Sequence, residues 1–173
     1  EQWPWGGSRE KREFTSFNKT YWDEVERRVR LAGERGIGID LCLYFSLQPA
    51  DRDINQHRSY WQHTLNRLAP YTNLLTWEIH NEYLGNQAFQ DAAGMFFRDN
   101  DPFHRPVCTS DGTTDDAAWP DKTWVSLAIN HTCTSSTARH PLDSWYLAVA
   151  RNTRSHGKPA WCNESGREKR HGN

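Results

Sequence analysis

The 173-residue sequence predicts an α/β fold built on a parallel sheet, and three features carry that prediction. Strand-like and helix-like segments alternate along the chain. The strand-like segments lack a clean two-residue polar alternation, and no hairpin turn separates two of them. Repeated βα units meet all three conditions, because crossover helices cover both faces of a parallel sheet.

The elements follow in order. The chain opens in a Pro/Gly-rich segment holding Trp3 and Trp5, read as a loop. Residues 18–36 read as a helix: Thr20 is placed to cap it, with Asp23 three residues on. Tyr21, Trp22, Val25, Val29, Leu31 and Ala32 recur at helical spacing, and Gly36 and Gly38 end the pattern. Its Arg/Glu-rich remainder reads as a solvated face. Residues 39–46 form a short apolar run between glycines and Gln48-Pro49, as a buried strand does. A helix over 57–69 presents Tyr60, Trp61, Thr64, Leu65 and Leu68 on one face and stops before Pro70. A strand over 74–79 and a helix over 86–98 come next. Strands at 105–110 and 123–130 flank a polar loop. A helix over 141–157 has Pro141 near its first turn, and the last strand spans 158–164.

Five strands, beginning near 39, 74, 106, 123 and 159, are too few for a closed barrel. A (β/α)8 TIM barrel takes about 250 residues. The expected architecture is therefore one domain over residues 1–173, holding about strands three to seven of such a barrel. On that reading roughly 100 or more residues lie outside the sequence.

Composition removes several classes of partner. With 21 basic and 22 acidic residues the chain offers no field to gather nucleic acid or an anionic membrane. No run approaches the roughly 18 apolar residues of a membrane span. The first residues show no apolar signal-peptide core. His57 and His63 stand six apart, which does not bring two ligands to one helical face, and no metal or cofactor is called for. Cys42, Cys108, Cys133 and Cys162 sit in or at the ends of apolar runs and read first as buried free thiols; a 108–133 or 133–162 bridge is the other reading. Nine tryptophans are the compositional outlier. Flat indoles fill cores, and on loops they stack on sugar rings.

Two segments carry chemistry. Glu82 follows Asn81 at the end of the run 73–81, and Glu164 closes a run opened by Lys158-Pro159 and followed by Gly166. Two carboxylates at the same end of a parallel sheet can work as acid/base and nucleophile in retaining glycoside hydrolysis. The patterns Trp77-Glu78-x-x-Asn81-Glu82 and Lys158-Pro159-x(4)-Glu164-x-Gly166 resemble the retaining (β/α)8 glycoside hydrolases of the clan of cellulases, β-mannanases and β-galactosidases (clan A). The wording around both glutamates is closest to the cellulase and mannanase branch.

That resemblance implies Glu82 as acid/base at the end of strand four, Glu164 as nucleophile at the end of strand seven, and Asn81 bound to a sugar 2-hydroxyl. It implies a carbohydrate substrate and slightly favours a secreted or periplasmic location, with the true N-terminus elsewhere. His131, ending the 123–130 strand, is expected to reach the nucleophile. The family often has a His-x-Tyr end there, whereas this chain reads Asn130-His131-Thr132-Cys133. That departure keeps a second reading open, a non-catalytic carbohydrate-binding barrel. Trp3, Trp5, Tyr44 and Trp161 complete the expected substrate contacts, and Phe45, Ser46 and Asp111 are further candidates for the cleft. Glu78 is expected to be a structural carboxylate paired with Arg or Lys, and His80 to face outward in a packing role. The sugar, the linkage and the oligomeric state stay open.

Overall fold

The computed structural model describes residues 3–8, 11–45, 53–81, 85–110, 117–132, 147, 150–152 and 154–165. The first two strands, β1 (Trp5–Gly7) and β2 (Arg12–Phe17), form an antiparallel pair with Trp5 opposite Phe17 and Gly7 opposite Arg12. This hairpin corrects the expectation of an opening loop and of a chain without hairpins. The amide of Ser8 donates to Lys11 O at 3.0 Å, and Gly7 takes the positive φ of 74° that the turn requires. No Asn-Gly or Asp-Gly pair marks this turn, so the short-range signal for a hairpin is missing.

Helix α1 (Lys19–Glu34) follows at once. Its cap is Asn18, whose Oδ1 accepts from the amide of Tyr21 at 3.2 Å; Thr20 lies inside the first turn. Gly36, at φ 70°, closes the helix while the Ile37 amide reaches back to Ala32 O at 2.9 Å. Trp22 and Val29 are its buried residues. The charged face is largely a ladder of short-range pairs, with Glu24 taken by Arg27 and Arg28 and held down at about 2 by their hydrogen bonds. Part of it also has a packing role, because Asp23 and Glu26 both bind Arg67 of the next helix.

Strand β3 (Ile39–Phe45), helix α2 (Ile54–Leu68), strand β4 (Leu74–Asn81), helix α3 (Gln87–Asn100) and strand β5 (Val107–Cys108) supply the predicted βα succession. β3, β4 and β5 pair in parallel in that order. Strands β6 (Ala128–Thr132) and β7 (Ala160–Ser165) form a second parallel pair. Ser126 connects the two sheets: its amide donates to Val107 O at 2.9 Å, and its hydroxyl accepts from the Val107 amide at 2.8 Å. The expected strands at 105–110 and 123–130 are both shorter than predicted. Trp124 and Val125 are in a turn instead, where Trp124 Nε1 donates to Asp91 of α3 at 2.7 Å. Residues 147, 150–152, 154 and 155 are helical, within the helix expected there.

The core lies between the sheet and the helices. Trp77 and Ile79 of β4 face α3, where Trp77 packs on Phe97 with ring centres 4.8 Å apart. The other face of the sheet is polar. Cys42, Glu78 and Cys108 are register partners across β3, β4 and β5, Thr76 donates to Asp40, and the Ser110 hydroxyl donates to Glu78. Glu78 is thus a buried carboxylate, as expected, and it accepts from the Ser110 hydroxyl. Burial, and after it the carboxylates of Glu78 and Asp40, push the Cys42 thiol up, and burial does the same to Cys108. Such thiols are inert. Cys42, Cys108 and Cys162 are free; Cys162 is exposed, not buried, and Cys133 lies outside the described residues.

Candidate active site

Four of the candidate residues, Phe45, Asn81, His131 and Glu164, lie at or next to the C-terminal ends of their parallel strands. Asn81 is the last residue of β4 and half-buried, and Glu82, which follows it, lies outside the described residues. The register partner of Asn81 on β3 is Phe45, an aromatic ring 66% exposed. Glu164 is the penultimate residue of β7, and its backbone pairs with His131 of β6. Asn130 pairs with Cys162 and His131 with Glu164, so β7 carries one extra residue, Asn163, just before the candidate nucleophile. One-residue bulges of this kind concentrate beside active sites.

Two expected substrate contacts are core residues instead. Tyr44 is 5% exposed, and its hydroxyl accepts from Trp61 Nε1 at 2.8 Å while lying 2.8 Å from His57 Nδ1, both on α2. Its ring is therefore on the helix side, and its neighbour Phe45 is the exposed aromatic at this strand end. Trp5 is 3% exposed, packed against Phe14, His57 and Tyr60. The hairpin causes this, because it lays β1 and β2 over α2; Phe17 stacks on His63 at 3.9 Å. Trp3 stays half-buried beneath the Arg12 guanidinium, 4.4 Å from its ring centre. Trp161 is 40% exposed on β7. Ser46 and Asp111 lie outside the described residues.

His80 is buried, as a packing role requires, but regular alternation would put it on the face of Glu78. Instead its ring stacks on Tyr44, with centres 6.2 Å apart and planes 20° apart. Tyr44 and His80 are register partners, so β3 and β4 leave strict alternation together near their ends. His80 Nδ1 lies 2.8 Å from Asn81 O, and the carbonyl of His80 accepts from Thr109 Oγ1 at 3.0 Å and from the Ser110 amide at 3.1 Å.

Lys158 has a role that its motif did not suggest. Its ammonium donates to the carbonyl of Pro120 and, at 2.9 Å, to that of Lys122. It thereby ties the start of β7 to the turn preceding β6. Burial lowers its pKa. Among the described residues, no group of three or more His, Cys, Asp or Glu side chains is arranged to hold a metal ion, and no helix is long and apolar enough to cross a membrane.

No protein-family model matches the chain, and no curated protein matches it. Solved structures do. A glycoside hydrolase family 5 structure from Bacteroides vulgatus ATCC 8482 aligns at TM-score 0.68 and 19% identity, over 86% of this chain and 35% of its own. A second structure described as a glycoside hydrolase aligns at TM-score 0.68 and 19% identity, over 86% of this chain and 37% of its own. The Bifidobacterium dentium β-glucuronidase complexed with coumarin-3-O-glucuronide aligns at TM-score 0.55 and 20% identity, over 91% of this chain and 28% of its own. The chain therefore spans about a third of the length of these structures. At such identities what is shared is the fold, an α/β arrangement on parallel strands that these glycoside hydrolase structures also contain.

Proposed function

We propose that this chain carries both catalytic carboxylates of a retaining β-glycoside hydrolase acting on an oligo- or polysaccharide. Its parallel strands are then about strands three to seven of a (β/α)8 barrel, within the cellulase, β-mannanase and β-galactosidase clan. The observation that carries the reading is the placement of Asn81 and Glu164 at or next to the C-terminal ends of β4 and β7. Ligand and catalytic groups of parallel α/β folds collect at that end.

Glu164, as a carboxylate, attacks the anomeric carbon and forms a glycosyl-enzyme ester, while Glu82 gives its proton to the departing oxygen. Glu82 then takes a proton from water, which displaces Glu164 and leaves the sugar with its original configuration. The two carboxyl groups are expected about 5–5.5 Å apart. Asn81 binds the sugar 2-hydroxyl, a contact that strengthens in the transition state, and His131 orients Glu164 from the neighbouring strand. Among the described candidates, Trp3, Trp161 and Phe45 are the aromatic rings that keep a face for the sugar.

A second reading, a non-catalytic carbohydrate-binding barrel, is favoured by one observation: residues 130–133 lack the tyrosine of the His-x-Tyr strand end. The product's stereochemistry separates the two. Proton NMR of hydrolysis by the full-length protein should show the β-anomer forming first. Sugar binding without hydrolysis supports the second reading, and an α-anomer formed first contradicts the retaining mechanism.

A further inference from the structure

Three elements meet on the imidazole of His63. Phe17, the last residue of β2, stacks on it with ring centres 3.9 Å and planes 14° apart, and Trp22 of α1 packs against it at 4.8 Å. Among the described residues, its buried Nε2 has no hydrogen-bond partner. The seam continues beyond the rings, because the carbonyl of Pro4 accepts from the Asn18 amide at 3.1 Å and from the Trp22 indole at 2.9 Å. His63 thus sits where the hairpin and the start of α1 are joined to α2.

The groups around this ring favour its neutral form. Arg67 stands one turn along α2 and binds Asp23 and Glu26 of α1, and Lys19 also pairs with Asp23. Glu26 favours a proton on His63, but burial and the Arg67 charge outweigh it and hold the imidazole below its ordinary pKa. Tyr21, beside Trp22, is kept neutral by its own burial. From the hairpin the ring meets the apolar Phe17, while Arg12 lies over Trp3 and Lys11 and Glu13 are exposed. An imidazolium here would place a second cation beside Arg67 and bury an Nε2 proton without an acceptor. Because the opened seam binds the proton more readily than the closed one, closure weakens as pH falls below about 6.5, the ordinary histidine value, and stops weakening below the folded value.

We propose that His63 is an acid-sensitive latch: neutral, it holds the β1–β2 hairpin and the start of α1 against α2, and protonation loosens that seam while the parallel sheet stays folded. The inference does not depend on the catalytic reading. His57, six residues earlier on α2, is a second imidazole under the hairpin, packed against Trp5 and Phe14 with its Nδ1 2.8 Å from the Tyr44 hydroxyl. The test therefore has to separate the two histidines.

Hydrogen exchange followed by NMR on the full-length protein reads the seam at the Asn18 amide and the Trp22 indole. The Trp77 amide, bonded to Pro106 O at 3.0 Å, is the reference inside the sheet. Between about pH 7.5 and pH 5, after allowance for slower intrinsic exchange in acid, both seam protons should lose protection several-fold relative to Trp77. The midpoint should match the titration of the His63 Cε1 resonance. In His63→Phe, which keeps a ring against Phe17 but takes no proton, the loss should vanish. Arg67→Gln should raise the His63 midpoint. The same acid response in His63→Phe would assign it to His57 or another group and overturn the proposal, as would a Trp77 amide that loses protection in step with the seam. Should His63→Phe fail to fold, the unmodified protein still decides: seam protection that stays flat while His63 titrates, or that changes at a different midpoint, overturns it.

Discussion

Asp101 accepts from Trp77 Nε1 at 3.0 Å, from the amides of Phe103 and Arg105 at 3.2 and 3.0 Å, and from the Arg105 guanidinium at 2.9 Å. Arg105 in turn donates to the carbonyls of Ala69, Tyr71 and Leu74, so one buried ion pair joins the end of α2, the start of β4 and the loop after α3. Burial alone would raise the pKa of Asp101; the hydrogen bonds and the Arg105 charge outweigh it and hold the carboxyl below its ordinary value. A depressed folded-state pKa gives stability that is present above the unfolded value, about 3.9, and is lost as pH falls through the folded one. Asp101→Ala should cost about 3–5 kcal/mol at neutral pH by leaving Arg105 unpaired. In urea melts the gap between native and Asp101→Asn proteins should narrow below about pH 4; a gap that stays constant with pH would show that the charge contributes nothing. Tyr44 permits a smaller test at the same scale. Tyr44→Phe strips the acceptor from Trp61 Nε1 and should destabilise the protein by about 1–3 kcal/mol.

Among the elements, the helices test most cleanly. Asn18→Ala removes the cap of α1 and should cost about 1 kcal/mol, whereas Thr20→Ala should stay within about 0.5 kcal/mol. Equal effects of the two would put the cap back at Thr20. Gly94, in the middle of α3, faces Trp124 so closely that an added Cβ would collide with the indole. Alanine normally favours a helix, but Gly94→Ala should lower the melting temperature here, because overpacking costs about 1–3 kcal/mol. The helices and the strands β3, β4 and β7 were legible in the sequence because apolar periodicity and Gly, Pro and Asn boundaries agree there. The hairpin was not, since Trp5-Gly6-Gly7 reads as a loop until Arg12–Phe17 pairs with it. The shortened β6 was not legible either: Trp124 and Val125 have strand-like side chains but are drawn towards α3 by Asp91, a contact 33 residues away in sequence.

For the molecule as a whole, the order β3, β4, β5 and then β6, β7 is sequential and parallel, with Ser126 bridging the two sheets. This order turns two sequence motifs into two strand ends. The ends were legible because Asn81 and Glu164 each close an apolar run. The surroundings were less so. One strand's pattern cannot reveal that Tyr44 and His80 leave alternation together, nor that a hairpin covers Trp5. Phe45, half of an adjacent aromatic pair, becomes the exposed partner only once Tyr44 is drawn to Trp61. The retaining mechanism makes one demand that no binding protein meets, a covalent bond between sugar and nucleophile. Incubating the full-length protein with 2,4-dinitrophenyl 2-deoxy-2-fluoro-β-glycosides of the gluco, manno and galacto series, followed by peptide mass spectrometry, reads that bond directly. The account predicts a fluoroglycosyl ester on Glu164 with at least one series, and loss of the label in Glu164→Gln. Turnover of the parent glycosides with the label on another residue, or sugar binding with no label at all, would contradict it.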